Sequence, residues 1–443
     1  MKRRFASLMV VMASGCQLVV GSYSSGGGDA GSPGNDGGTS ADVTMTDSAG
    51  QDGAELDATD AEAGSDAEAG GDASVLDGGP DASGCVEGVQ RCVGQTVETC
   101  TSSGTWGNPW LCATGMCTGG GCSGSTPGAS NPSCTLGGDG LTNCGAGSES
   151  CCTSQDVIGG VYDRTYSSDD AGLSDSASVS GFRLDKYLVT VGRFRQFVEA
   201  WDLGNATPGN ADGKHAHLRS GSGLVDSASA IGAYEPGWVA GDDANILSPS
   251  ESELASCVIT ADGSTTPYST WTTTPAGQET LPINCVNWYE AYAFCIWDGG
   301  FLPSEAELEY AAAAGSQQRE YPWGPTDPGT SNEYAVYGCY YPLGSDGSCT
   351  GIGDIAPVGS IPAGAGNWGQ LDLAGDVFAW ALDEYAPYVD PCVDCAYLSG
   401  ASTRTLRGGA FVYDEASLQP RSRDSSTPVS RNGAFGFRCA RTP

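Results

Sequence analysis

Three helices can be placed along the chain, one by apolar side chains at helical spacing and two by their caps. Phe194, Phe197, Val198 and Trp201 share one face of a predicted helix running to about Trp201, with Thr190 placed to cap it through its hydroxyl. Asn287, with Glu290 three positions on, opens a second helix that Gly299-Gly300 ends. Ser304 and Glu307 follow Pro303 as a reciprocal cap for a third, which runs through Glu309 and a set of alanines to Gly315. The rest of residues 134–443 reads as short strands between long Gly, Asn, Asp and Ser loops, with no strand–helix rhythm. A doubly wound nucleotide-binding sheet is therefore disfavoured, and no glycine-rich phosphate-cradling motif accompanies it. The class expected is α+β, loop-rich, with few short helices and strands.

Before residue 134 the pattern changes. Lys2, Arg3 and Arg4, an apolar run from Phe5 to Met12 and the small residues Ala13-Ser14-Gly15 predict a signal peptide over 1–15. The run is too short to span a bilayer as a helix. Cleavage before Cys16 resembles bacterial lipoprotein processing, with lipid on Cys16, although Ala13 stands where leucine is usual; an ordinary secretory signal is the alternative. Gln17 in place of aspartate points to the outer membrane, at its periplasmic face or the cell surface, for the exported lipoprotein. Residues 16–84 have no periodicity. Between 22 and 84 they hold 14 acidic residues and no Lys or Arg, so they cannot bury enough apolar surface to order themselves and read as a self-repelling, disordered tether.

Charge and cysteine content narrow the picture further. A formal charge of −35 from 19 Lys+Arg against 54 Asp+Glu repels nucleic acid and removes it from the expected partners. Cys85, Cys92, Cys100, Cys112, Cys117 and Cys122 lie within 38 residues. In an oxidising compartment these predict a small module (85–122) held by three disulfides. Zinc is the runner-up, disfavoured because the module has no CxxC and no histidine. A short linker, 123–133, precedes the main domain, 134–443. Its twelve cysteines form an even set, which favours disulfides over a free catalytic thiol. Cys392 and Cys395 read as a local loop staple, with a redox pair as the alternative.

Six ordered motifs in this domain carry a family resemblance. They are Phe182 to Thr190 (FRLDKYLVT), Val286-Asn287-Trp288 leading into Leu302 to Glu307 (LPSEAE), Tyr321 to Gly324 (YPWG), Leu373 to Gly375 (LAG), Leu406 to Gly409 (LRGG) and Gly436 to Arg438 (GFR). Together they resemble the sulfatase-modifying factor family, that of the formylglycine-generating enzyme. The resemblance implies a C-type-lectin-like fold. It also implies an oxidase whose two cysteines, a few residues past the RGG motif, bind Cu(I), a soft ion suited to thiolates. Tyr413 and Leu418 occupy those positions here, so copper and the oxidase reaction are not expected.

Calcium is a second implied cofactor. The family's GNVWEW motif stands as Gly375 to Trp380 (GDVFAW): Ala379 replaces the glutamate and Asp376 restores one anionic oxygen. Asn332 and Glu333, with Asp346 or Asp354, complete the candidate calcium ligands, a solvated acidic loop set being the plainer reading. His215 and His217, the only histidines, sit in polar sequence that reads as an exposed insertion, a poor setting for a metal pair. Around the former cysteine positions, Asp414, Glu415, Arg407, Arg421 and Arg423 are candidate groove residues for acid–base work or for a polar ligand; structural ion pairs holding the long loops are the plainer reading for Arg407 and Arg423. Trp288, Trp323, Trp368 and Trp380 read as core. Two functions follow. The first is a surface-displayed module binding an unknown glycan, peptide or protein. The second is an enzyme of the family acting on an exported protein or peptide through a different active centre.

Overall fold

The computed structural model describes residues 131–443, apart from 146–148, 167–174, 230–231, 247–251, 260–266 and 344, together with the backbone of five strands between 90 and 122. The predicted signal peptide, Cys16 and the tether lie outside the described residues. In the cysteine-rich module, β1 (Gln90–Val93), β2 (Thr96–Cys100) and β3 (Trp106–Leu111) form an antiparallel sheet, and β4 (Cys117–Thr118) pairs with β5 (Gly121–Cys122). The pairing of the module's cysteines lies outside the described residues as well.

The main domain begins with β6 (Ser154–Val157), β7 (Gly160–Asp163), β8 (Ser176–Val179) and β9 (Phe182–Asp185), followed by helix α1 (Val191–Asp202). After β10 (Val225–Asp226) and the single turn α2 (Ser252–Ala255) come α3 (Trp288–Trp297) and α4 (Glu305–Ala312). The chain then continues as β11 (Phe378–Glu384), β12 (Cys392–Val393), β13 (Cys395–Ala396), β14 (Arg404–Arg407), β15 (Asp424–Ser426), β16 (Phe435–Gly436) and β17 (Ala440–Arg441). Three small sheets run in the orders β17-β9-β6, β12-β8-β7 and β15-β14-β11-β16, and β10 pairs with β13.

The three helices start where their caps predict. Thr190 accepts from the Arg193 N–H at 3.1 Å, and Asn287 and Ser304 each make both halves of a capping box with Glu290 and Glu307. The third helix stops at Ala312, short of Gly315, because Ala314 (φ 58°) turns into the left-handed region.

Strand β11 divides the interior. Phe378, Trp380 and Leu382 enter the cluster of Phe194, Phe294, Phe437 and Trp238, while Ala379 and Ala381 face the cluster of Tyr162, Phe182, Leu184 and Tyr310. Successive strand residues point to opposite faces, so an unbroken apolar run covers two cores at once. Asn131 and Ser133, expected to end a linker, are buried (6% and 0% exposed). The Ser133 N–H donates to Asp298 at 3.0 Å, and the domain's packing starts there.

Charge is also buried, in closed sets. Arg193 reaches Asp185 at 2.9 Å and Asp298 at 2.6 Å, and Arg441 reaches the same two aspartates at 3.2 and 2.8 Å. Two cations against two anions, with further bonds from Arg193 to Ser133 Oγ and the Cys151 carbonyl, is the arrangement in which buried ions are tolerated. All twelve cysteines of the domain are paired: Cys134–Cys152, Cys144–Cys151, Cys257–Cys285, Cys295–Cys439, Cys339–Cys349 and Cys392–Cys395. Cys392 and Cys395 are the local staple the spacing predicts.

Candidate functional site

The segment after β14 builds one wall of a cleft. Gly338 donates to the Tyr413 carbonyl at 2.9 Å and Cys339 to the Phe411 carbonyl at 2.7 Å, so the 337–340 and 411–415 stretches run side by side. Between them lies a cleft of ≈ 580 Å³ lined by Asp327, Tyr337, Tyr340, Tyr413, Asp414, Glu415 and the Cys339–Cys349 disulfide, among others. Tyr413 is half-buried, its ring edge-on to Phe378 with centroids 4.9 Å apart. Burial, helped by Asp424, raises its phenol above the usual range. Tyr337 donates to the Gly329 carbonyl at 2.6 Å, and burial with the nearby Glu415 pushes its hydroxyl up to about 12. Asp327, Asp414 and Glu415 are exposed. The cleft thus offers phenol rings, hydroxyls and carboxylates, suited to a polar ligand.

Leu418 behaves differently from Tyr413. It is 1% exposed and packs with Tyr321, Ala335, Tyr337 and Ala374, filling space behind the cleft.

Of the candidate groove residues, Tyr413, Asp414 and Glu415 line the cleft, whereas Arg407, Arg421 and Arg423 are not among its lining residues. Arg407 and Arg423 belong instead to a buried ion cluster. Arg407 Nη2 lies 2.7 Å from Glu305 and 2.8 Å from Glu309, its Nη1 donates to the carbonyls of Pro420 and Ser422, and Arg423 Nε meets Glu305 at 2.6 Å. The two carboxyls respond in opposite senses. Glu309, fully buried and near Glu305, is pushed up to about 7 although Arg407 opposes this. Glu305 is held below its usual range, since two guanidiniums outweigh its burial. Asp383, also buried and near Glu305, is raised to about 7.

The candidate calcium ligands are scattered in role. Asp376 is buried and its Oδ1 accepts the Ala356 N–H at 3.1 Å; burial and the neighbouring Asp372 push its carboxyl up. Asp346 is exposed and accepts from Ser348, Asp354 accepts the Thr350 and Gly351 N–H groups, and Glu333 is exposed. Asn332 donates to the Tyr340 carbonyl at 2.7 Å, and its buried Oδ1 has no partner. Among the described residues, no three His, Cys, Asp or Glu side chains gather in a metal-holding group.

The histidine reading needs correction. His215 is 0% exposed, with Nδ1 2.9 Å from Glu235 and Nε2 3.0 Å from Glu307. His217 stacks on Phe301, their centroids 5.7 Å apart. Neither lies on an exposed insertion. Two carboxylates distant in sequence supply the counter-charge that lets a cationic ring be buried, which local composition does not reveal.

With fold and cleft in view, the class is settled by comparison. The Sulfatase-modifying factor enzyme 1-like domain matches residues 150–443, and the chain belongs to that family. It is 31% identical over 297 residues to the formylglycine-generating enzyme of Streptomyces coelicolor, covering 64% of this chain and 85% of that protein. It is 33% identical over 166 residues to the inactive C-alpha-formylglycine-generating enzyme 2 of Mus musculus, covering 36% and 49%. Among solved structures, PvdO from Pseudomonas aeruginosa aligns with a TM-score of 0.43 at 18% identity, over 70% of this chain and 100% of that one.

Proposed function

We propose that this chain is an exported, lipid-anchored member of the sulfatase-modifying factor family without the copper oxidase reaction, working as a ligand-binding module. The ligand is a glycan or peptide taken in the cleft between Tyr337 and Tyr413. The observation that carries this reading is what occupies the two positions after Gly408-Gly409. Tyr413 lines the cleft and Leu418 is buried among aromatic and aliphatic side chains. Neither provides the thiolate that Cu(I) prefers, so the residues present do not fit that ion. The twelve domain cysteines are also all held in disulfides. Attachment through Cys16 and a long acidic tether would display the cleft away from the membrane surface.

The test offers the purified protein a cysteine-containing peptide with Cu(I) and oxygen and follows the peptide's mass. In parallel, oligosaccharide and peptide pools are screened for saturable binding that Tyr413→Ala abolishes. Unchanged peptide with Tyr413-dependent binding is the expected result. Conversion of the peptide's cysteine to formylglycine would overturn the proposal.

A further inference from the structure

A second cavity, of ≈ 20 Å³, shares no lining residue with the cleft; Glu309, Ala312, Ala379, Arg407, Leu418 and Pro420 are among its walls. Two polar atoms of these residues have no partner, Glu309 Oε1 and Arg407 Nε. Both side chains are more than nine-tenths buried, with Glu309 1% and Arg407 4% exposed. Their remaining polar atoms are all engaged. Glu309 Oε2 accepts from Arg407, Tyr162 and Tyr388, and Arg407 Nη1 and Nη2 hold two carbonyls and two carboxylates. An orphaned carboxylate oxygen and an orphaned guanidinium N–H are among the costliest groups to leave unsatisfied in an interior.

We infer that this cavity is the site of one structural water molecule, which accepts from Arg407 Nε–H and donates to Glu309 Oε1. The volume fits, since a single water needs roughly 10–15 Å³ measured in this way. The chemistry selects water over an ion. A cation is repelled by the guanidinium and an anion by the carboxylate, while water supplies one acceptor and one donor to match. The site also has a positioning role. Arg407 stands at the start of the 408–420 loop that carries Tyr413, Asp414 and Glu415, and its Nη1 grips the Pro420 carbonyl at the loop's far end. By fixing the guanidinium plane, the water pins the root of the cleft wall. This inference stands whether or not the cleft takes a ligand.

High-resolution crystallography of the full chain is the direct test, expected to show a density peak within hydrogen-bonding distance of both atoms. Ala379→Val should fill the cavity and expel the water. Amide hydrogen exchange over residues 411–418 should then quicken several-fold, and Ala379→Thr, whose hydroxyl can replace the water, should restore slow exchange. A direct Glu309–Arg407 Nε bond, or no peak, overturns the water site. Unchanged exchange in a folded Ala379→Val protein overturns its positioning role. Should Ala379→Val fail to fold, magnetic relaxation dispersion on the wild-type protein still reports whether a long-lived internal water is present.

Discussion

His215 Nε2 lies 3.0 Å from Glu307 Oε2, the same carboxylate oxygen that accepts the Ser304 N–H at 2.8 Å and closes the cap of α4. The ring is thereby the counter-charge that allows a helix-capping glutamate to be buried. Burial alone would lower the His215 pKa, but Glu307 and Glu235 outweigh it and raise it to about 10.

The raised value sets a pH dependence. Below an unfolded pKa of about 6.5 both states carry the proton and the stabilisation is complete; it is lost as pH rises through about 10. Urea titrations of the wild type between pH 7 and 10 should show a falling stability, on the order of 3–5 kcal/mol, that His215→Gln removes.

Two residues on, the sign reverses. Burial, with the adjacent positive His215, lowers His217 to about 4. Between about pH 6.5 and 4 the unfolded chain binds the proton that the folded chain refuses, so stability falls as pH falls. His217→Gln should flatten this acid limb by on the order of 1–2 kcal/mol, measured by denaturant midpoints against pH.

Arg193→Ala leaves Asp185 and Asp298 buried against Arg441 alone. A loss of about 3–5 kcal/mol is expected, because an uncompensated buried charge remains. Its salt dependence should be weak, since the set is out of reach of mobile ions. Chemical denaturation at low and high ionic strength checks both.

Tyr413 and Leu418 should separate function from stability. Leu418→Ala truncates a buried side chain and should cost about 2–5 kcal/mol. Tyr413→Ala, at a half-buried cleft position, should leave the unfolding midpoint much closer to wild type while removing ligand binding. Unfolding curves and binding isotherms on the two variants make the comparison.

The helices were legible because capping is local: Thr190, Asn287 and Ser304 each act within three residues of themselves. The family was legible because its motifs survive in order. The electrostatic plan was not, because its partners are far apart in sequence. Glu305 and Arg407 are separated by about a hundred positions, and His215 finds Glu307 across 92. Ion pairing was the plainer reading of Arg407, but its partners were not nameable, and its place six positions before Tyr413 made it a groove candidate too; the loop between them turns the two toward different surroundings. The cleft was half visible, through Tyr413, Asp414 and Glu415. Its other wall, Asp327 to Tyr340, comes from a loop with no periodicity to read.

Strand β17 pairs with β9, Cys439 is bonded to Cys295 across 144 positions, and Arg441 completes the charged ring around Asp185 and Asp298. Such contacts between distant parts of a chain carry the largest loop-closure entropy and form late. The order of assembly follows: during synthesis, residues 134–436 can be present in full while the core remains open. A chain clipped or stalled before Phe437 would keep every residue that lines the cleft and still lack the strand that shuts the interior behind it.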